Sequence, residues 1–186
     1  MSASPPTESC FLLSVDVQTG FLPLLPDSAA LIQRCRFALE AAQLFGFGVG
    51  FTEQVPEKLG TTVPELRALA PNAPLWTKSA FSAWGVPELP KHLSESGITS
   101  LLLAGIETSI CIYQTARDAR AAGVDVTVLA DCVQARRPAD AQVALAELAR
   151  LDVRILPLET VCYDWLQDAR HPQFRSYTQL VKRFSA

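Results

Sequence analysis

Short, continuously apolar runs that alternate with longer helical stretches leave this chain few folds. The runs cover residues 10–15, 47–52, 75–78, 100–105, 124–130 and 153–156. They do not alternate apolar with polar, so each reads as a strand covered on both faces, the pattern of a parallel sheet. Between them, Asp27 is placed to cap a helix whose apolar positions Leu31, Cys35, Ala38, Ala42 and Phe45 lie near helical spacing, and Gly46 ends it. Further helices are expected over 86–96, closed by Gly97, and over 110–122, closed by Gly123. Others are expected over 138–150, opened by Pro138, over 158–169 and over 172–184. Strand followed by helix, repeated, means an α/β fold with right-handed crossovers.

The 186 residues suit one domain. A chain of this size buries roughly 70% of the surface its unfolded form exposes, enough for a core without disulfides or structural metal. The net charge is -3 and no block of Lys or Arg occurs, so a nucleic-acid partner, which needs cations to replace phosphate counterions, is not expected. Residues 1–9 are polar, carry no positive segment and read as a flexible start to the domain. Asp16 and Gln18 break the first apolar run, so neither a signal peptide nor a membrane span is expected, and a cytoplasmic location with reduced thiols follows. Five cysteines, Cys10, Cys35, Cys111, Cys132 and Cys162, include no C-x-x-C pair, which argues against a zinc ribbon or a thioredoxin-type site. Each is then either a small core hydrophobe or a reactive group.

In an open α/β sheet, ligands bind beyond the carboxyl ends of the strands, where the strand order reverses. Three polar residues fall at such ends. Asp16 follows the first run directly, either as a turn or capping carboxylate or as a functional one. Lys78 ends the third run in LWTKSAFSAW, among Trp76, Phe81 and Trp84. Its stem either lies along apolar surface, or its ammonium pairs with Asp16 and stabilises a thiolate. Cys111 lies near the start of the helix after the fourth run, where the helix dipole and a neighbouring lysine would lower a thiol pKa. A carboxylate beside it would raise that pKa, so an aspartate there works as a proton acceptor with lysine offsetting its charge. Phe21 either walls a pocket or belongs to the core. The 55–90 third is proline-rich and loop-like, a common setting for function.

The segments LLSVDVQTGF, TEQ at 52–54, WTKSAFS and above all AGIETSICIYQTARDARAAGVDVTVLADC resemble the isochorismatase-like cysteine hydrolases over nearly the whole chain from Phe11 onward. GTTVPEL, GIET and the late HPQF resemble in particular the isochorismatase domain-containing subgroup. The resemblance implies a six-stranded parallel sheet of order 3-2-1-4-5-6 in a three-layer α/β/α fold. It implies a catalytic triad of Asp16, Lys78 and Cys111. It also implies a cis peptide between Ile106 and Glu107 that turns the amides of Glu107 and Cys111 toward a substrate oxygen. Nicotinamidases of this family hold a metal through an Asp-x-His and a second His after the second strand. Thr52, Glu53 and Gln54 stand there instead, and the two histidines, His92 and His171, lie elsewhere in the sequence. No metal and no cofactor is therefore expected. Glu53 and Gln54 either line the pocket, or Glu53 makes a buried loop hydrogen bond.

A chain that retains the cysteine suits a small amide, ureido or similar acyl substrate better than the vinyl ether of isochorismate. Gln18, Phe21, Gln54, Trp76, Phe81, Trp84 and Tyr113 are candidates for lining a partly apolar pocket, and the aromatics are equally candidates for the core. A dinucleotide-binding module is disfavoured, because DVQTGF and not G-x-G-x-x-G follows the first strand. The main rival is a catalytically idle member that serves as an oligomeric binding or scaffold protein. A second rival is redox sensing through Cys111, with Cys132 as its resolving thiol. Ala- and Leu-rich helical faces such as residues 139–151, and the habits of the family, lead us to expect a homo-oligomer of dimer size or larger.

Overall fold

Every residue of the first strand, β1 (Cys10–Val15), is buried, and so is every residue of β4 (Ser100–Ile106). Strands apolar at consecutive positions have no solvent face and must lie at the centre of a covered sheet. The computed structural model, which describes residues 7–184, places them side by side, with Cys10 opposite Ser100 and Val15 opposite Gly105. β2 (Gly48–Gln54) and β3 (Leu75–Lys78) extend the sheet on one side, and β5 (Asp125–Gln134) and β6 (Arg154–Leu156) on the other. All pairings are parallel, and the order is β3-β2-β1-β4-β5-β6. The chain winds from β1 to β3 in one direction and then returns to β4 on the far side of β1. The crevice beyond the carboxyl ends of β1 and β4 is therefore the switch point of the fold.

The eight helices of the described residues cover both faces. α1 (Ser28–Phe45), α7 (Leu158–Leu166) and α8 (Phe174–Phe184) pack on one face with Leu12, Phe51, Leu102 and Cys132. α4 (Glu88–Glu95), α5 (Tyr113–Ala121) and α6 (Pro138–Arg150) pack on the other with Phe11, Leu13, Leu103 and Val128. α2 (Pro56–Leu59) and α3 (Pro64–Arg67) are single turns within the proline-rich stretch, each with proline in its first turn. α1 is bounded as its sequence suggests. The Asp27 side chain accepts a hydrogen bond from the Ala30 N–H, and Gly46 closes the helix with φ of 76°.

Several boundaries differ from those read in the sequence. β2 begins at Gly48 and runs on through Glu53 and Gln54, whose polar side chains are buried because each finds partners. β5 extends to Gln134 after its register against β4 shifts between Leu103 and Gly105. α4 begins at Glu88. α5 begins only at Tyr113, because Thr108–Ile112 winds as one π-helical turn. α7 stops at Leu166, where Gln167 turns to φ of 56°, and α8 starts at Phe174. The flexible start expected for residues 1–9 lies outside the described residues for its first six. Thr7–Ser9 form a 3-10 turn, and the Ser9 carbonyl accepts a hydrogen bond from the Thr99 N–H at 3.0 Å. No described helix is long and apolar enough to cross a membrane.

Gly105 is where the two central strands press together. Its φ is 115°, and a Cβ built on it would lie 2.1 Å from the Val15 carbonyl oxygen. No other residue fits without moving the β1 backbone that leads into Asp16. Gly105→Ala is expected to cost about 3 kcal/mol or more through overpacking and backbone strain. Differential scanning calorimetry should show a midpoint lower by about 6–12 °C for a domain of this size.

Candidate active site

Asp16 is the first residue beyond β1 and turns the chain sharply, with φ of 54°, a conformation aspartate tolerates better than most residues. Its N–H donates to the Thr52 carbonyl at 3.1 Å, so the turn stays stitched to β2. The carboxylate is fully buried and therefore needs partners. Lys78 Nζ donates to Oδ2 at 2.7 Å, and the Thr52 hydroxyl donates to Oδ1 at 2.7 Å. Both charged side chains of this ion pair have no exposed surface.

Lys78 ends β3, two strands from Asp16, with β2 between them. Its remaining hydrogen-bonding capacity goes to Gln54 Oε1 at 2.7 Å and to the carbonyls of Phe81 and Ala80 at 3.0 and 3.3 Å. The loop after β3 is thus folded back over its own lysine. That loop is fastened to α5 as well, because the Ala83 N–H donates to the Thr115 hydroxyl at 2.9 Å.

Cys111 lies in the π-helical turn after β4, on the same face as α4 to α6, and is 5% exposed. The peptide between Ile106 and Glu107 is cis. The Glu107 carbonyl accepts from the N–H groups of Ile110 and Ile112, which closes the turn. Asp16 and the Glu107 backbone both act on the Cys111 thiol, the carboxylate raising its pKa and the backbone N–H lowering it. Asp16 is thus the group that pairs with the lysine and also acts on the thiol. The Glu107 carboxylate, nearly buried itself, pairs with Arg136 just beyond β5.

The thiol departs from the expectation that a helix start and a lysine would lower its pKa. It is pushed up to about 12, chiefly by burial and then by the charge of Asp16, with Lys78 acting in the opposite sense but less strongly. Burial and the Asp16 charge therefore favour the protonated thiol over a free thiolate at neutral pH.

The other candidates divide. Phe81 stays beside the site, its carbonyl on Lys78 and its ring 54% exposed. Tyr113 lines a cavity of about 370 Å³ with Ser109 and with Asp140, Val143, Ala144 and Glu147 of α6. Gln18 and Gln54 have partners within the framework. Gln18 donates to the Gln54 and Gly60 carbonyls and accepts from the Gln54 N–H at 2.7 Å. Gln54 donates to the Ser79 carbonyl at 2.8 Å while holding Lys78. Glu53 makes the buried loop bond, accepting from both the N–H and the hydroxyl of Thr62. Trp76 packs over Phe11 and His92 toward the start of β1, and Phe21 packs against the α1 face. Trp84 lies at the opposite end of the sheet, with Thr99, Gly123 and Val124 at the amino ends of β4 and β5. Cys132 faces the α1 side with Cys35, across the sheet from Cys111, so it is not placed to resolve an oxidised Cys111. The sequence reading missed Arg136. An arginine just after a strand that ends at the same crevice is the one signal that could have pointed to it.

Thr52, Glu53 and Gln54 are each engaged in the bonds described, and an alcohol, a carboxylate held by Thr62 and an amide held by Lys78 do not fit a metal. Among the described residues, no group of three or more His, Cys, Asp or Glu could hold one.

A parallel sheet of this order, with an acid, a lysine and a cysteine at its switch point, defines a class of hydrolase fold. The Isochorismatase domain family model matches residues 10–159, and the chain belongs to the isochorismatase-like hydrolase family. It is 36% identical over 176 residues to isochorismatase domain-containing protein 2A of Mus musculus, covering 94% of this chain and 84% of that protein. Among solved structures, it is similar to the MAR1 ribonuclease of Caenorhabditis elegans, with a TM-score of 0.89, 27% identity and coverage of 97% and 93% of the two chains. The YcaC gene product of Escherichia coli, described as an octameric hydrolase of unknown specificity, shares the fold, with a TM-score of 0.83, 22% identity and coverage of 97% and 96%.

The raised thiol has a measurable signature. Alkylation of Cys111 by iodoacetamide, followed on its own peptide by mass spectrometry, should quicken by about tenfold per pH unit from pH 7 to 10. A plateau near pH 8.5, as for a free thiol, would contradict the buried, carboxylate-paired environment.

Proposed function

We propose that the protein is a cysteine hydrolase that cleaves a small amide, ureido or related C–N substrate through a thioester on Cys111. The observation that carries this reading is the fully buried Asp16 carboxylate, paired with the Lys78 ammonium at 2.7 Å and close enough to the Cys111 thiol for its charge to raise that group's pKa. A buried carboxylate in contact with a thiol is a general base, and the buried lysine lets it remain charged. Asp16 takes the thiol proton as sulfur attacks the carbonyl carbon. The C–S bond forms, and the carbonyl π pair moves to oxygen. The amides of Glu107 and Cys111, at the start and within the turn, are the donors for that oxyanion. Collapse restores the carbonyl and breaks the C–N bond, and the leaving nitrogen takes the proton from Asp16. Water, deprotonated by Asp16, then adds to the thioester carbonyl; collapse breaks the C–S bond, releases the acid, and the proton returns from Asp16 to the Cys111 sulfur.

Phe81 and Tyr113 are the aromatic side chains that remain available to line the pocket. A thiol with an acid and an ammonium suits acyl transfer, so the ribonuclease activity named for the nematode protein is not carried over. Self-association is part of this reading. Val143 on α6 is 72% exposed beside the Tyr113 cavity, an apolar surface suited to a second copy.

The test is an ammonia-release screen over small amides and ureido compounds. Turnover by the wild type should fall by at least about a thousandfold in Cys111→Ala, the scale of removing a nucleophile. A Cys111→Ala protein that keeps its turnover would sink the scheme. Size-exclusion chromatography with light scattering should give a mass of two or more chains, and a monomer at all concentrations would remove self-association from the reading.

A further inference from the structure

The mechanism above uses the backbone of Glu107 and leaves its side chain unexplained. That carboxylate is only 7% exposed and belongs to the residue that caps the turn carrying Cys111, its carbonyl accepting from the N–H groups of Ile110 and Ile112 on either side of the cysteine. A buried negative charge at this point works against every step that puts negative charge on sulfur or on the substrate oxygen. The described structure gives it one charged partner. Arg136, two residues beyond the point where Gln134 pairs with Ile106, donates from Nε to Glu107 Oε1 and is 49% exposed.

The other charged groups around the thiol have separate partners. Asp16 and Lys78 neutralise each other from the ends of β1 and β3. Asp140 and Glu147 of α6 lie with Ser109 and Tyr113 along the cavity beside the turn, and Arg137 pairs with Asp140. Arg117 of α5 pairs with its neighbour Asp118.

We infer that Arg136 is a positioning residue, acting through Glu107, that cancels the Glu107 charge beside Cys111 and keeps the thiol able to ionise. This rests on Cys111 being the reacting thiol. It gives the isolated Arg136–Glu107 pair a purpose in the chemistry as well as in the fold.

The inference makes a prediction of opposite signs, which a merely structural pair would not give. Full-length protein is treated with iodoacetamide, a neutral probe, at pH 8, and the rate is read on the Cys111 peptide, with circular dichroism confirming each fold. Arg136→Gln leaves Glu107 uncompensated and should slow alkylation about three- to tenfold, the range set by a shift of about one unit offset in part by the greater nucleophilicity of a more basic thiolate. Glu107→Gln leaves the arginine charge unopposed and should speed it by a similar factor. The double variant should return to within about twofold of wild type, and so should Arg136→Lys, which keeps the charge.

Single variants that shift in the same direction, or not at all, would overturn the inference, as would a double variant no faster than Arg136→Gln. If Arg136→Gln does not fold, the pH profile of Glu107→Gln decides: a lower apparent pKa for Cys111 alkylation than in wild type supports the inference, and a faster rate with an unchanged or higher apparent pKa overturns it. No substrate is needed, so a failed amide screen and a failed charge cycle are separate results.

Discussion

The structure is arranged around one buried ion pair. Asp16 and Lys78 give up all contact with water, and removing two charges from water costs several kcal/mol per ion before any attraction is counted. What offsets that cost is the set of hydrogen bonds around them: the Thr52 hydroxyl, the Gln54 amide and the carbonyls of the loop after β3. The order of the sheet follows the same need. β2 stands between β1 and β3, so the two charges meet over its end, where Thr52 supplies a donor to Asp16 and Gln54 an acceptor to Lys78. Gln18 locks Gln54 in turn. Thr52 and Gln54 are therefore the lining of a charge pair, while Glu53 between them holds the loop at Thr62.

Around that pair the two halves of the site have different tolerances. The half made by β1, β2 and β3 is dense with reciprocal hydrogen bonds. The half made by the turn after β4 and the loop after β5 is held by the Glu107 carbonyl, the cis peptide and the Arg136 contact. Cys111 joins them, since its thiol feels both the Asp16 charge of the first half and the Glu107 backbone of the second.

Much of this was legible in the sequence, and particular residues show where legibility stopped. β1, β3 and α6 have the bounds their residues suggest, because unbroken apolar runs and a proline at a helix start each have one physical outcome. The meeting of Asp16, Lys78 and Cys111 followed from their places at strand ends. The thiol's direction of shift did not. Burial and a carboxylate outweigh a lysine only once the depth of the site is known, and a π-helical turn has the same residue preferences as the α-helix it precedes. Gln18 and Gln54 illustrate a general ambiguity, since an amide beside a strand end serves backbone and ligand equally well. Trp76 and Trp84 were drawn toward Lys78 by closeness in sequence, yet one packs back along the sheet and the other lies at its far end.

Gly105 carries a consequence for how such a chain can change over generations. The approach of its backbone to Val15 ties the exits of β1 and β4 together, so the region that orients Asp16 and the turn after β4 has almost no room to drift. The outer face of α6, where Val143 is exposed, is held by no contact so close and has more freedom to change. Divergence among relatives should therefore gather at the rim of the crevice. New selectivity could then arise by replacing side chains that surround the reacting atoms, while the backbone that presents those atoms stays unaltered.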